Sequence, residues 1–222
     1  MMGVFMTMTS TAQVAIPKSL VLEYEFSLAS IPLGFVEKRL KYEDSIYIAD
    51  SKIKPNSAAK LLYNGEVDEI STFKVEGNKM TSLSFHAVRK NYKPYDRKAV
   101  FNHQDNTVIY NNGESEALRK NTYDLGSFPF AFMLEDLTAI ENKVYQINTG
   151  KSYRAYEVLR PERQRVSTPA GDFDSTKITL KRQDRENRFY YVWLADDTHY
   201  PVKIVRNKKG KKSTFVLKSI SE

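Results

Sequence analysis

The sequence contains no cysteine. That excludes disulfides, thiolate nucleophiles, Cys-ligated zinc or iron–sulfur clusters and a lipobox-type lipid anchor, so packing alone must hold the fold. Histidine is scarce as well. His86, His103 and His199 are the three, and none has a second histidine at metal-ligand spacing. His86, His103 and Asp105 can approach one another across strands, but a metal site needs three or four convergent groups and none is expected. G-x-S-x-G, the P-loop, the dinucleotide fingerprint and H-E-x-x-H are all missing, which removes the commonest sequence-readable hydrolases, NTPases, dehydrogenases and metalloproteases. No cofactor is implied. Beyond the N-terminus no segment approaches the ~20 apolar residues of a membrane helix, so no membrane span is expected.

What is present suits a single all-β domain. The chain has 222 residues, 41% hydrophobic and 27% charged, with 14 tyrosines and a net charge of +7. From Lys181 to Lys212, ten Lys and Arg stand against four Asp and Glu, which places almost all of the net charge in the C-terminal region. A cationic region favours acidic partners, among them acidic polysaccharide, lipopolysaccharide phosphate, anionic lipid and nucleic acid; a merely solvated face is the plainer reading.

The start, "MMGVFMTMTSTAQVAIPKSL", carries a short apolar, Met-rich run and then Ser10-Thr11-Ala12, a small-x-small pattern of the kind signal peptidase accepts. No Lys or Arg precedes that run. Residues 1–19 read as a signal-like or disordered leader and 20–222 as one antiparallel β domain, which predicts a periplasmic protein. Export and the lack of RNP-type aromatic signatures disfavour nucleic acid as the partner.

From Leu20 onward the residues alternate. In "LVLEYEFSL", Leu20, Leu22, Tyr24, Phe26 and Leu28 share one face, as a half-buried strand requires. Similar runs recur to the C-terminus, separated by Asp, Asn and Gly turn signals such as Asn112-Gly113. The pattern predicts an antiparallel meander forming a barrel or a strongly curved sheet. "YDLGSFPFAFMLEDLTAI" breaks it: Phe128, Phe132, Met133 and Leu137 are spaced for one helical face, with Ser127 near the N-cap and Pro129 in the first turn. "NSAAKLLYNGEV" has room for one further helical turn.

"ADDTHYP" places Asp196, Asp197 and His199 together like members of an acid–base site, but Asp and Thr are also natural turn formers, and a structural hairpin is the expectation. The binding candidates are aromatic and basic. Alternation sets Phe189, Tyr191 and Trp193 on one face and Tyr190, Val192 and Leu194 on the other. An open aromatic face bordered by Arg163, Arg165, Lys181 or Lys203 would stack on sugar rings or bases while the cations hold acid groups; a buried aromatic core with cations at its edge is the alternative.

The segments "RVSTPAGDFDSTKITL" and "YYVWLADDTHYPVKIVRNKKGKKSTFVLKSI" carry a resemblance. Thr168-Pro169-Ala170-Gly171-Asp172-Phe173, Trp193 to Asp197, Pro201-Val202-Lys203 and Leu217 to Ile220 resemble, in order, the hairpin, strand end, strand start and closing strand of the bacterial domain of unknown function 3108. Asp124 to Ser127 is similar to that family's D-x-x-S helix start. The resemblance implies an exported antiparallel β protein, carries no catalytic residues, and makes Asp196, Asp197 and Pro201 members of a recurring turn.

Together these observations predict a non-catalytic binder of an acidic glycan or amphipathic envelope ligand, with Arg163, Arg165, Lys181, Tyr191, Trp193 and Lys203 at its site. A carbohydrate-active enzyme, such as a polyuronate lyase or hydrolase, is one alternative; convergence of a Tyr or His with Arg and a carboxylate in one groove would favour it. An envelope assembly or scaffold protein without a small ligand is the other. The oligomeric state is not readable from the sequence.

Overall fold

The computed structural model describes residues 16–62, 66–91 and 93–222. Residues 1–15, most of the expected leader, lie outside the described residues. Ile16 is already buried, and its carbonyl accepts the Tyr47 hydroxyl at 3.2 Å.

Sixteen strands are found among the described residues. The first half contributes β1 (Ser19–Leu28), β2 (Ile31–Glu43), β3 (Ile46–Pro55), β4 (Val67–Glu76), β5 (Lys79–Arg89), β6 (Tyr95–Asn102), β7 (Thr107–Tyr110) and β8 (Ser115–Ala117). The second half contributes β9 (Thr122–Asp124), β10 (Val144–Asn148), β11 (Tyr153–Val158), β12 (Glu162–Thr168), β13 (Gly171–Arg182), β14 (Arg188–Ala195), β15 (Pro201–Lys208) and β16 (Lys211–Ser221). A short helix, α1 (Ser57–Leu62), links β3 to β4. The alternation that predicts these strands also fixes their inner face: Leu20, Leu22 and Tyr24, then Val36 and Leu40, are buried, while their neighbours are more exposed.

The central helix is shorter than its apolar spacing suggests. α2 (Phe128–Ala131) gives way to a 3-10 turn over Phe132–Leu134, with Pro129 in the first turn and Ser127 at the N-cap, and it ends where Glu135 becomes extended. The Ser127 hydroxyl bonds to Asp124 instead of capping the helix.

One sheet holds all the strands. From β8 it runs back in chain order to β1, passes to β16, and continues through β15, β14, β13, β11 and β10 to β9, with β12 on β13. Pairing is antiparallel except between β9 and β10. The sheet is strongly curved and not closed: β8 and β9 are its ends, and β9 turns inward against the middle of the first half. Ser71 on β4 donates to Asp124 at the end of β9 (2.8 Å), and Asn148 on β10 donates to the Tyr110 hydroxyl on β7 (2.8 Å). Register shifts at Phe26/Ser27, Thr72/Phe73 and Trp193/Leu194 supply local bends for this roll.

α2 plugs the roll. Phe130 and Met133 pack on the inner faces of β1 to β5, while Phe128 and Phe132 pack among Tyr145, Ile178, Leu180 and Val192 of the second half. Each large side chain buried this way contributes about 1.5–3 kcal/mol relative to exposure.

Candidate ligand-binding site

The inner face changes character toward one end of the roll. Along β5 the inward residues are Phe85 and Ala87, both buried, and then Arg89, half-buried; along β6 they are Phe101 and Ala99, then Arg97 and Tyr95. β15 repeats the change from Val202 and Ile204 to Arg206, and β11 from Val158 and Tyr156 to Arg154. We call this end the mouth. Lys38 and Glu69, inward on β2 and β4, complete the charged set, and Lys38 donates to Ser51 at 3.3 Å.

The two halves of the sheet face one another here. Arg206 lies close enough to act electrostatically on Glu69 across the roll, and Arg154 is held down by burial and by the neighbouring Arg206 and Arg182. Tyrosines support the guanidinium groups. Arg89 and Arg97 sit 4.8 and 4.4 Å from the Tyr95 ring centre, and Arg206 sits 5.5 Å from that of Tyr190. Among the described residues none of Lys38, Arg89, Arg97, Arg154 and Arg206 has a carboxylate within ion-pair distance. Among the described residues the buried Nε of Arg89 has no hydrogen-bond partner. Burial pushes Glu69 up and Lys38 down from their ordinary values, and each charge partly offsets the shift in the other. The result is half-buried positive charge that an acidic group would satisfy.

The residues singled out in the sequence lie elsewhere. Lys181, Tyr191, Trp193 and Lys203 share one face of the second half, with the Lys203 ammonium 5.0 Å from the Trp193 ring centre. Trp193 is 8% exposed, and its indole N–H donates to Gln164 on β12 at 2.8 Å. The β12–β13 hairpin folds over this face, with the Ala170 N–H reaching the Leu217 carbonyl at 3.4 Å. Arg163 and Arg165 are exposed on the opposite face of the hairpin from Gln164, and Arg165 pairs with Asp172 at 3.4 Å. The other aromatic face, through Val192 and Leu194, is core.

Asp196, Asp197 and His199 form a hairpin corner. His199 has a positive φ of 55°, its N–H closes the turn on the Ala195 carbonyl at 2.8 Å, and Asp196 accepts from Thr176 at 2.7 Å. Burial lowers the His199 imidazole, opposed by a hydrogen bond to the Phe132 backbone. His86 pairs with Asp96 at 2.9 Å and His103 with the Ser82 carbonyl at 2.7 Å, so they do not converge. Among the described residues no group of three or more His, Cys, Asp or Glu is arranged to hold a metal ion, and no helix is long and apolar enough to cross a membrane.

A shallow depression of about 460 Å³ on the outer face of β2 to β5 is lined by Arg39, Asp50, Asp68, Ile70, His86 and Val88. Its charges are mixed in sign, and it also reaches Glu69.

The mouth residues carry one mark legible in the sequence: each is a charge in the strand register of the buried apolar residues. Its meaning depends on the roll that turns those registers toward each other. No curated protein matches the chain. The family model described as Protein of unknown function (DUF3108) matches residues 23–214, and the chain belongs to that family.

Proposed function

We propose that the protein is an exported, periplasmic, non-catalytic binding module that takes the acidic group of an amphipathic envelope ligand or an acidic glycan into the mouth. The observation that carries this reading is the set of five half-buried cations with no carboxylate within ion-pair distance among the described residues, three of them (Arg89, Arg97 and Arg206) set against tyrosine rings. Burying such charge is costly unless an anion completes it. An apolar moiety has a place as well, because the stacked rings of Phe26 and Phe215, 4.9 Å apart, lie one side-chain step inside Arg206.

One observation favours catalysis as a second reading. Glu69, Tyr95 and Arg206 occur together at the mouth, the residue types a polyuronate lyase needs for carboxylate neutralisation and proton removal. The neighbouring Tyr156 is no better placed as the base. Burial raises Tyr156, the opposite of what a tyrosine acting as base requires.

The test is titration with oligogalacturonate and with short-chain phosphatidylglycerol, with product analysis on every positive. Saturable binding weakened about tenfold or more by Arg206→Ala, and unchanged by Arg163→Ala, is expected, given the strength of a charge-assisted hydrogen bond. Released product would move the protein to the enzymes. Absence of binding to any acidic compound would overturn the reading.

A further inference from the structure

Three hairpin tips stand side by side at the mouth end. The Ala29 N–H at the β1–β2 turn donates to the Lys212 carbonyl at 2.8 Å, and the Lys209 N–H at the β15–β16 turn donates to the Asn187 carbonyl beside the β13–β14 turn at 3.0 Å. The middle tip carries exposed Lys208, Lys209, Lys211 and Lys212. Its charges repel one another: the nearby Arg188 holds Lys208 below its ordinary value, with burial, Arg206, Arg154 and Lys209 adding to the effect. The β13–β14 tip adds Arg188, while its Asp184 is held by Arg182 at 2.8 Å and by Arg185 at 3.9 Å and its Glu186 is exposed, so the positive charge of this end is concentrated on the middle tip.

The β1–β2 tip is apolar. Leu28 and Ile31 face each other across a two-residue turn and are 37% and 58% exposed. Ala29 and Ser30 hold that turn with φ of 49° and 67°, a short connection that keeps both side chains at the tip. Aliphatic groups beside a cluster of lysines match a lipid interface, where the chains enter the acyl boundary and the cations meet headgroup phosphates.

We infer that the mouth end docks on an anionic lipid bilayer, with Leu28 and Ile31 seated in the interface and the Lys208–Lys212 tip against the headgroups. The inference rests on the binding-module reading for its purpose, since docking would set the mouth against the source or destination of an amphipathic ligand. A polyanionic glycan or nucleic acid would use the lysines but leave Leu28 and Ile31 without a role.

The test is co-sedimentation of the full chain with phosphatidylcholine vesicles and with vesicles also containing phosphatidylglycerol, at low and moderate salt. Selective, salt-weakened binding to the anionic vesicles is expected. Combined Lys209→Glu, Lys211→Glu and Lys212→Glu should lower it by about a hundredfold or more, since each lysine near such a surface contributes about fivefold. Ile31→Ser should lower it by about tenfold. All four positions are exposed, and unchanged thermal melting confirms that the variants fold. No vesicle binding, equal binding to neutral vesicles, indifference to both variants, or a requirement for these residues in binding soluble polygalacturonate instead of vesicles would each overturn the inference. Short-chain phosphatidylglycerol, kept monomeric, separates the two readings. Tip variants should retain its binding while losing vesicles, and Arg206→Ala should lose it while retaining vesicles.

Discussion

Asp124 shows how one residue fastens the rolled edge. Fully buried, it accepts the Ser71 and Ser127 hydroxyls at 2.8 and 2.7 Å and the Gly126 and Ser127 N–H groups at 2.9 Å each. Asp124→Ala leaves all four donors unsatisfied and should cost about 3 kcal/mol or more in denaturant unfolding. Asp124→Asn keeps a carbonyl oxygen for the two N–H groups, and the hydroxyls can turn to accept, so its cost should be about half as large. Glu69 yields a pH dependence. Its folded-state value is raised by burial above the ordinary 4.5, so the folded chain retains a proton that the unfolded chain has released. Its contribution is therefore fully present below that ordinary value and is lost as pH rises through the raised one. Glu69→Gln should flatten this region of the stability–pH curve. Protonating Glu69 also removes the negative charge facing Lys38, Arg89 and Arg206, so acidic-ligand affinity should rise on acidification in the natural protein, and less in Glu69→Gln, as measured by Kd against pH.

At the scale of elements, close strand approach depends on a glycine. Gly34 in β2 has a φ of +149°, and a Cβ there would lie 2.2 Å from the Lys54 carbonyl oxygen of β3. Gly34→Ala must force the β2 and β3 backbones apart, not move a flexible side chain, and should cost about 3 kcal/mol, visible as a lower urea midpoint. The long strands were legible because alternation is a local property: Leu20, Leu22 and Tyr24 announce their face without reference to the rest of the chain. β8 and β9, three residues each, are too short to alternate convincingly, and their place at the sheet ends depends on distant partners. Trp193 illustrates the limit for the site. Its parity with Phe189 and Tyr191 could be read directly, but the cover over it comes from Gln164, 29 residues away, on a hairpin whose curvature no local pattern records. Arg89 and Arg206 were harder still, since neither is informative until the sheet turns their strands toward one another.

For the whole molecule, the decisive pairing is between first and last strands. Neighbours along the chain form most of the sheet, whereas β1 with β16 joins its two halves through eight paired positions from Val21↔Ser221 to Leu28↔Ser213. A chain ending before Lys211 would leave β1 and β15 with bare inner edges, and it should fail to give a cooperative unfolding transition and should aggregate, as followed by calorimetry and light scattering. That same seam places the start of β1 beside the end of β16. The order of strands across the sheet is therefore indifferent to where the polypeptide begins: a short linker from Glu222 to Ile16, with the chain reopened at the exposed turn around Gly77, would thread the same surface as a circular permutant. In that rearranged chain the seam would become an ordinary hairpin, while β8, β9 and the off-path β12 would keep their unpaired sides as edges among the described residues.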